Sequence, residues 1–386
     1  MPPRQQRCKL TSEDQLTHQS AFDSEISSQC TAELELIVLH LLDDYDFDLD
    51  DLGHILLEKG LNINFSEVKY RDIAPRVGLE HTCAGADMKT FDVHRARIPT
   101  AMFKEIVQDL EIGMNQYGEP LNHSNMEARS RFLAPLFNRT VSLFKSSVCN
   151  TPGSIMPGMT TRGRVEYYFS VFGGVSVLVI EMLLRTGEER VDAIAQIIAK
   201  CNVCDFSNNR LDCPSFPIFG ILCDGVAFEF FSFDGSTSPP TFSRGVFRPP
   251  DSNKPRQKIA LADYRGSSNI DFICSLRPIC EVLFYFLLLD YETGTKTNPL
   301  RPIVEANCPQ RSMPGWNEAH NFANQALIHA MDAAAKAAAR DCAADEVSKL
   351  ALDYLQQSLA AIPASYKGNP DSVLMSSWDE ERVKFC

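Results

Sequence analysis

Glu166 and Glu181 are the residues whose types and spacing point most directly to chemistry. Glu181 ends the apolar run Val177-Leu178-Val179-Ile180, and Glu166 sits in the preceding aromatic stretch Val165-Glu166-Tyr167-Tyr168. An apolar run closed by an acid reads as a central strand, covered on both faces, that presents a carboxylate at the rim of its sheet. A neighbouring strand carrying Glu166 brings a second carboxylate close to the first. Paired carboxylates repel unless a proton or a cation lies between them. With oxygen donors alone, the matching cation is hard and divalent, magnesium or manganese. Such an ion activates water and steadies an in-line displacement at phosphorus, so phosphodiester hydrolysis is the expected chemistry. Glu127, in the first turn of a helix, and Gln196, on the helix after the apolar strand, fall where they could join the pair.

The elements that must position these groups are legible in the periodicity. Residues 125–144 predict a helix with Phe132, Leu133, Leu136, Phe137, Val141 and Phe144 on one face. A strand follows over 163–169, then turn material at Phe172-Gly173-Gly174, then a strand over 175–184. Residues 188–201 predict a helix, and 217–233 predict two strands joined at Asp224-Gly225. The Pro-rich stretch 238–255 reads as a loop, followed by a helix over 274–289.

Outside this block the chain is mostly helical. Residues 1–30 are polar, helices are expected from Thr31 and over 52–59, and 66–120 reads as loops with a helix over 102–114. Residues 299–314 read as a linker. The Ala-rich region 317–361 predicts helix broken near Asp341, gripping its surroundings through Leu327, Met331, Leu350, Tyr354 and Leu355. The expected division is 1–120, 121–295 and 296–386.

The middle region resembles the PD-(D/E)XK nuclease superfamily, in the version found in fungal proteins and some Crinkler-like effectors. The residues that carry the resemblance are Met126-Glu127-Ala128-Arg129-Ser130-Arg131-Phe132, Arg164-Val165-Glu166-Tyr167, Val179-Ile180-Glu181-Met182-Leu183, Gln196, and Gly220-Ile221-Leu222-Cys223-Asp224-Gly225. They cover under a third of the chain, and their order and spacing are more specific than any single piece. The resemblance implies an α/β (α+β) fold, restriction-endonuclease-like, with a central mixed sheet flanked by helices. It implies Glu166 as the first motif acid, Glu181 as the second, and the Met182 carbonyl as a further metal ligand. Glu127 would be the acid on the leading helix and Gln196 the glutamine of some branches, while Arg129 and Arg131 would meet phosphate.

The motif lysine, two residues after the second acid, is replaced by Leu183. Leucine neither orients water nor stabilises charge. Arg185, two residues further along the strand, projects to the same face and stabilises charge, but its proton is unavailable for base chemistry. A lysine arriving from elsewhere, such as Lys145 or Lys200, has no support in the sequence.

Other chemistries fit less well. The acidic run 43–51 lacks both the glycine and the final glutamate of a calcium loop. Cys201-Asn202-Val203-Cys204, with Cys213 and Cys223, lacks a second close-spaced zinc pair and reads as buried thiols. The net charge of −13 disfavours a protein that coats nucleic acid, yet a hydrolase needs only a local basic groove. Thirteen scattered cysteines and a polar, basic start at Met1–Lys9 predict reduced thiols and an intracellular place, cytoplasm or nucleus. The stretch 270–289 approaches the length of a membrane helix, but Asp271, Arg277, Pro278 and Glu281 make a buried helix with a broken first half the expectation, with no membrane partner.

Three functional expectations follow. The first is a metal-dependent nuclease acting on DNA or RNA, impaired by the loss of the lysine. The alternative is a pseudo-nuclease that binds nucleic acid or a protein partner. The third makes the Ala-rich helices a docking surface.

Overall fold

The structure, a computed structural model, describes residues 63–65, 68–82, 87–118, 126–150, 154–157, 161–165, 167–181, 188–210, 216–223, 227–247, 260–261, 269–297 and 314–363. The chain divides into two units, Met1–Asn62 and Ile63–Cys386, and every described residue belongs to the second. The expected N-terminal helices and the acidic run lie outside the described residues.

The fold is mixed α/β. Its centre is a mixed sheet of seven strands in the order β2-β10-β9-β8-β7-β6-β3, with a short eighth strand pairing beside β9. These strands are β2 (Lys89–Asp92), β3 (Val148–Asn150), β6 (Tyr167–Val171), β7 (Gly174–Glu181), β8 (Ile218–Cys223), β9 (Ala227–Asp234), β10 (Thr241–Val246) and β11 (Ala260–Leu261). A separate small sheet joins β1 (Ile63–Asn64), β5 (Thr161–Val165) and β4 (Ser154–Pro157).

Two expectations from the sequence need correction here. The single strand over 163–169 is two strands, β5 and β6, which belong to different sheets, and Glu166, between them in the sequence, lies outside the described residues. The aromatic run disguises this break, because both halves have strand-forming residues. The Pro-rich stretch 238–255 is not all loop, because it contains β10. Prolines exclude ladder pairing only where they stand, and Thr241-Phe242-Ser243-Arg244 beyond Pro240 alternates as a strand should. Strand β2, parallel to β10, was likewise hidden in a short polar segment.

Turns and packing explain the central strands. β6 buries every other residue, while β8 is buried throughout, as a strand covered on both faces requires. β6 and β7 are joined by Phe172 (φ 50°) and Gly173 (φ 87°), a two-residue hairpin with both central residues left-handed. Phe172 is held in this uncommon conformation by stacking on Tyr291 at 5.4 Å and edge contact with Trp316 at 5.7 Å.

Helices cover both faces. α4 (Glu188–Arg210) links β7 to the parallel β8 and packs on one face, where Val175, Ile218, Leu222, Phe231, Phe233 and Phe242 meet it. Gly220 lets α4 come close, since a Cβ there would stand 2.7 Å from Ile197 Cγ2. The short helix α1 (Tyr70–Ile73) packs beside α4. The other face carries α2 (Thr100–Tyr117), α3 (Met126–Ser142), α5 (Asn269–Ser275) and α6 (Arg277–Thr297).

α6 is the central helix of that face. With α5 it forms the one segment, Phe272–Thr297, that is long and apolar enough among the described residues to cross a membrane, and 67% of that window is buried inside the protein. Pro278 sits in the first turn of α6, where its missing N–H leaves no bond unmade, and α5 ends just before it.

α7 (Pro314–Ala338) and α8 (Ala344–Ala361) form a helical hairpin that packs against α6. Of the expected grip residues, Leu355 is buried and Leu327 and Tyr354 pack against the core, but most of the seam is alanine. Ala319, Ala323, Ala326, Ala330 and Trp316 are buried, whereas Leu350 is exposed. Alanines spaced four and three apart let backbones approach closely, so small side chains provide the seam. At its end Ser358 donates to the Ala319 carbonyl at 2.6 Å, and Tyr291 hydroxyl therefore donates to Ser358 Oγ at 3.0 Å.

Candidate functional site: the carboxyl rim of the sheet

Strand direction decides what meets at each end of the sheet. β2 is parallel to β10, β10 and β8 are both antiparallel to β9, and β7 is parallel to β8. These four strands therefore run the same way. Their last residues, Asp92, Val246, Cys223 and Glu181, lie at one rim. In open α/β sheets, ligands bind outside the carboxyl ends of the strands.

The residues singled out in the sequence are distributed as follows. Glu181 is the last residue of β7, with its backbone in register with Cys223, and its side chain lies outside the described residues. Glu166, Met182, Leu183 and Arg185 also lie outside them. Glu127, Arg129 and Arg131 belong to α3, where only the backbone is described. Gln196 is half-buried on α4, in the turn that packs over Gly220. That turn is three residues short of Cys223, so it stands roughly 10 Å back from the rim.

The two displaced-lysine candidates part company. Lys145 is exposed just before β3, and β3 begins by pairing Val148 with Val171 at the opposite end of the sheet from Glu181. Lys200 is buried on α4, with its Nζ 5.7 Å from the centre of the Phe65 ring.

Two buried glutamates at the rim were not anticipated. Glu229 on β9 is fully buried and opposite Leu222 of β8. Arg190, in the first turn of α4, grips it with two hydrogen bonds of 2.8 Å, and Arg244 of β10 donates to it as well. Fork-to-fork pairing of this kind is the strongest ion-pair geometry that side chains make.

Glu281 on α6 is 1% exposed and lies on the other face. α6 runs antiparallel to β7: its Asp290 accepts a hydrogen bond from Ser176 at the start of β7, and its Gly294 faces Phe172 in the hairpin turn. The N-terminal end of α6 is therefore at the rim. There the segment after β2 crosses it, fixed by Val93 N–H to the Val246 carbonyl, Ala96 N–H to the Glu281 carbonyl and Arg97 N–H to the Ala330 carbonyl. Arg277 donates to Glu281 at 3.0 Å, while Arg97 and Arg95 stand 3.6 and 3.8 Å from it. Burial raises the Glu281 carboxyl above its ordinary value, against the downward pull of the three arginines.

Each of these acids left a signal in the sequence. Glu229 interrupts Ala-Phe-Glu-Phe-Phe, and Glu281 interrupts Ile-Cys-Glu-Val-Leu-Phe. A charge inside an apolar element calls for a buried partner.

Among the described residues no group of three or more His, Cys, Asp or Glu side chains is arranged to hold a metal ion. Cys201, Cys204 and Cys223 are buried thiols outside any disulfide, and burial pushes Cys201 and Cys204 upward. No protein-family model matches the chain, and no curated protein or solved structure matches it at a significant level.

Proposed function

We propose that this protein is a metal-dependent phosphodiester hydrolase of the PD-(D/E)XK type, weakened by the loss of the motif lysine. One observation carries the reading: helix α3, the antiparallel pair β6–β7, helix α4 and the parallel strand β8 follow in the order of the resembling block, with Glu181 ending β7 at the carboxyl rim. On this reading the mixed sheet and its flanking helices form a restriction-endonuclease-like fold.

The donor set suits a hard cation, since Glu166, Glu181, Glu127 and the Met182 carbonyl offer only oxygen. When bound, magnesium or manganese supplies an activated water and neutralises charge at phosphorus. Glu166 and Glu181 hold it, with Met182 and Glu127 completing the ligands. Arg185 stabilises developing charge, and Arg129 and Arg131 engage the phosphate backbone of DNA or RNA, while Gln196, about 10 Å back from the rim, is left out of the reacting set.

Purified protein is expected to cleave single- or double-stranded nucleic acid slowly with manganese and not with EDTA. Glu181→Ala should abolish the cleavage, and Leu183→Lys should raise it. Activity that survives Glu181→Ala would sink the proposal.

Leu183 itself favours a second reading, in which the same fold binds nucleic acid or a protein partner without turnover. Robust divalent-dependent cleavage by the wild type rules that reading out.

A further inference from the structure

We infer that Arg95, Arg97 and Arg277, gathered around the buried Glu281, form a binding subsite for a phosphate group at the carboxyl rim. The inference shares only the rim with the nuclease reading and does not depend on a metal or on turnover.

One carboxylate is surrounded by three guanidiniums, and one of them would be enough to neutralise it. Arg277 alone makes a hydrogen bond to Glu281, and it also donates to the Ile98 carbonyl at 2.6 Å. Arg97 and Arg95 are held too far from the carboxylate to hydrogen-bond with it, and among the described residues neither guanidinium donates to another group. Arg97 Nε is buried and has no hydrogen-bond partner. An unmade bond at a buried donor is costly, and a native protein keeps one where something else fills it.

Mutual repulsion makes the arrangement more demanding still. Burial lowers the Arg97 pKa first, and Arg277 lowers it next. Asp345 attracts Arg97 at longer range, but that carboxylate already accepts the Thr100 N–H at 2.7 Å and pairs with Lys349 at 3.3 Å. The surplus positive charge is therefore local, in a chain whose net charge is −13.

Geometry and access agree. Arg95 and Arg97 alternate along an extended segment whose backbone is pinned to α6 and α7, so the two forks are set before any ligand arrives. Arg277 is steadied by the Phe103 ring, 5.1 Å away. The three side chains are 17–30% exposed, open enough for an anion to reach and shielded enough for the attraction to count. A tetrahedral oxyanion with several acceptors satisfies separate guanidinium forks, which a single carboxylate cannot do.

The test is calorimetric titration of sodium phosphate into the full chain at fixed ionic strength. Wild type, Arg95→Gln, Arg97→Gln and the surface control Arg139→Gln are compared. Arg95 makes no hydrogen bond among the described residues, so Arg95→Gln should keep the wild-type melting temperature. Wild type and Arg139→Gln are expected to bind phosphate alike. Each of the other two should bind at least about tenfold more weakly, the scale of one lost charge-assisted bond. Competition by a short oligonucleotide would identify the ligand as a nucleic-acid backbone, and lack of competition a free phosphate or phosphomonoester. No binding by the wild type, or undiminished binding by Arg95→Gln and Arg97→Gln, overturns the inference.

Discussion

The two faces of the sheet each bury a glutamate at the same rim, and they treat it differently. On the α4 face, Glu229 meets the two-pronged Arg190 and Arg244, so both of its oxygens are bonded. On the α6 face, Glu281 has three arginines within 4 Å and a hydrogen bond from only one. Residue types match, but the geometry does not. The first network ties β9, β10 and the start of α4 together, and its charges are used up. The second keeps unused donors next to solvent. A buried ion pair thus serves structure when it is closed and binding when it is left open.

The sharpest way to break the comparison is to remove each acid. Glu229→Ala removes every hydrogen bond that Arg190 and the buried Arg244 make to its carboxylate and should cost about 3–5 kcal/mol in chemical denaturation. Glu281→Gln should cost less, about 1–2 kcal/mol, because only Arg277 hydrogen-bonds to it and the amide keeps an acceptor for that bond. The same change should tighten phosphate binding, since it removes the anion that competes for the cluster. Equal destabilisation by the two variants would erase the distinction drawn here.

A third buried acid supplies the smallest and most pH-specific effect. Asp290 is fully buried, takes a hydrogen bond from Ser176 and has no cation beside it among the described residues, so burial pushes its carboxyl well above the ordinary range. The folded state therefore holds a proton that the unfolded chain releases near the usual aspartate value of about 4. Stability from this residue is greatest below that value and declines as pH rises towards the folded pKa. Asp290→Asn should flatten the decline and melt higher than wild type at pH 8. A steeper pH dependence in the variant would contradict this account.

Much of the architecture was legible because patterns were strong. The apolar run closed by Glu181, the antiparallel pair β8–β9, the long helix α3 and the break near Asp341 all follow from periodicity and turn chemistry. β10 was hidden by Pro239 and Pro240, and β2 by its short polar sequence. Leu327, Tyr354 and Leu355 were read correctly as grip residues, but the alanine seam of α7 was missed because leucine is expected to pack where alanine does. Of the site, single residues were legible but their gathering was not. Arg95, Arg190, Arg244 and Arg277 are far apart in the chain, and only strand direction brings them to one rim.

The central claim is that this rim still holds a divalent ion. Its most direct test is calorimetric titration of manganese into wild type and Glu181→Ala, which requires no guess about substrate. The account predicts binding by the wild type that the substitution abolishes. No binding by either protein, or equal binding by both, would contradict it.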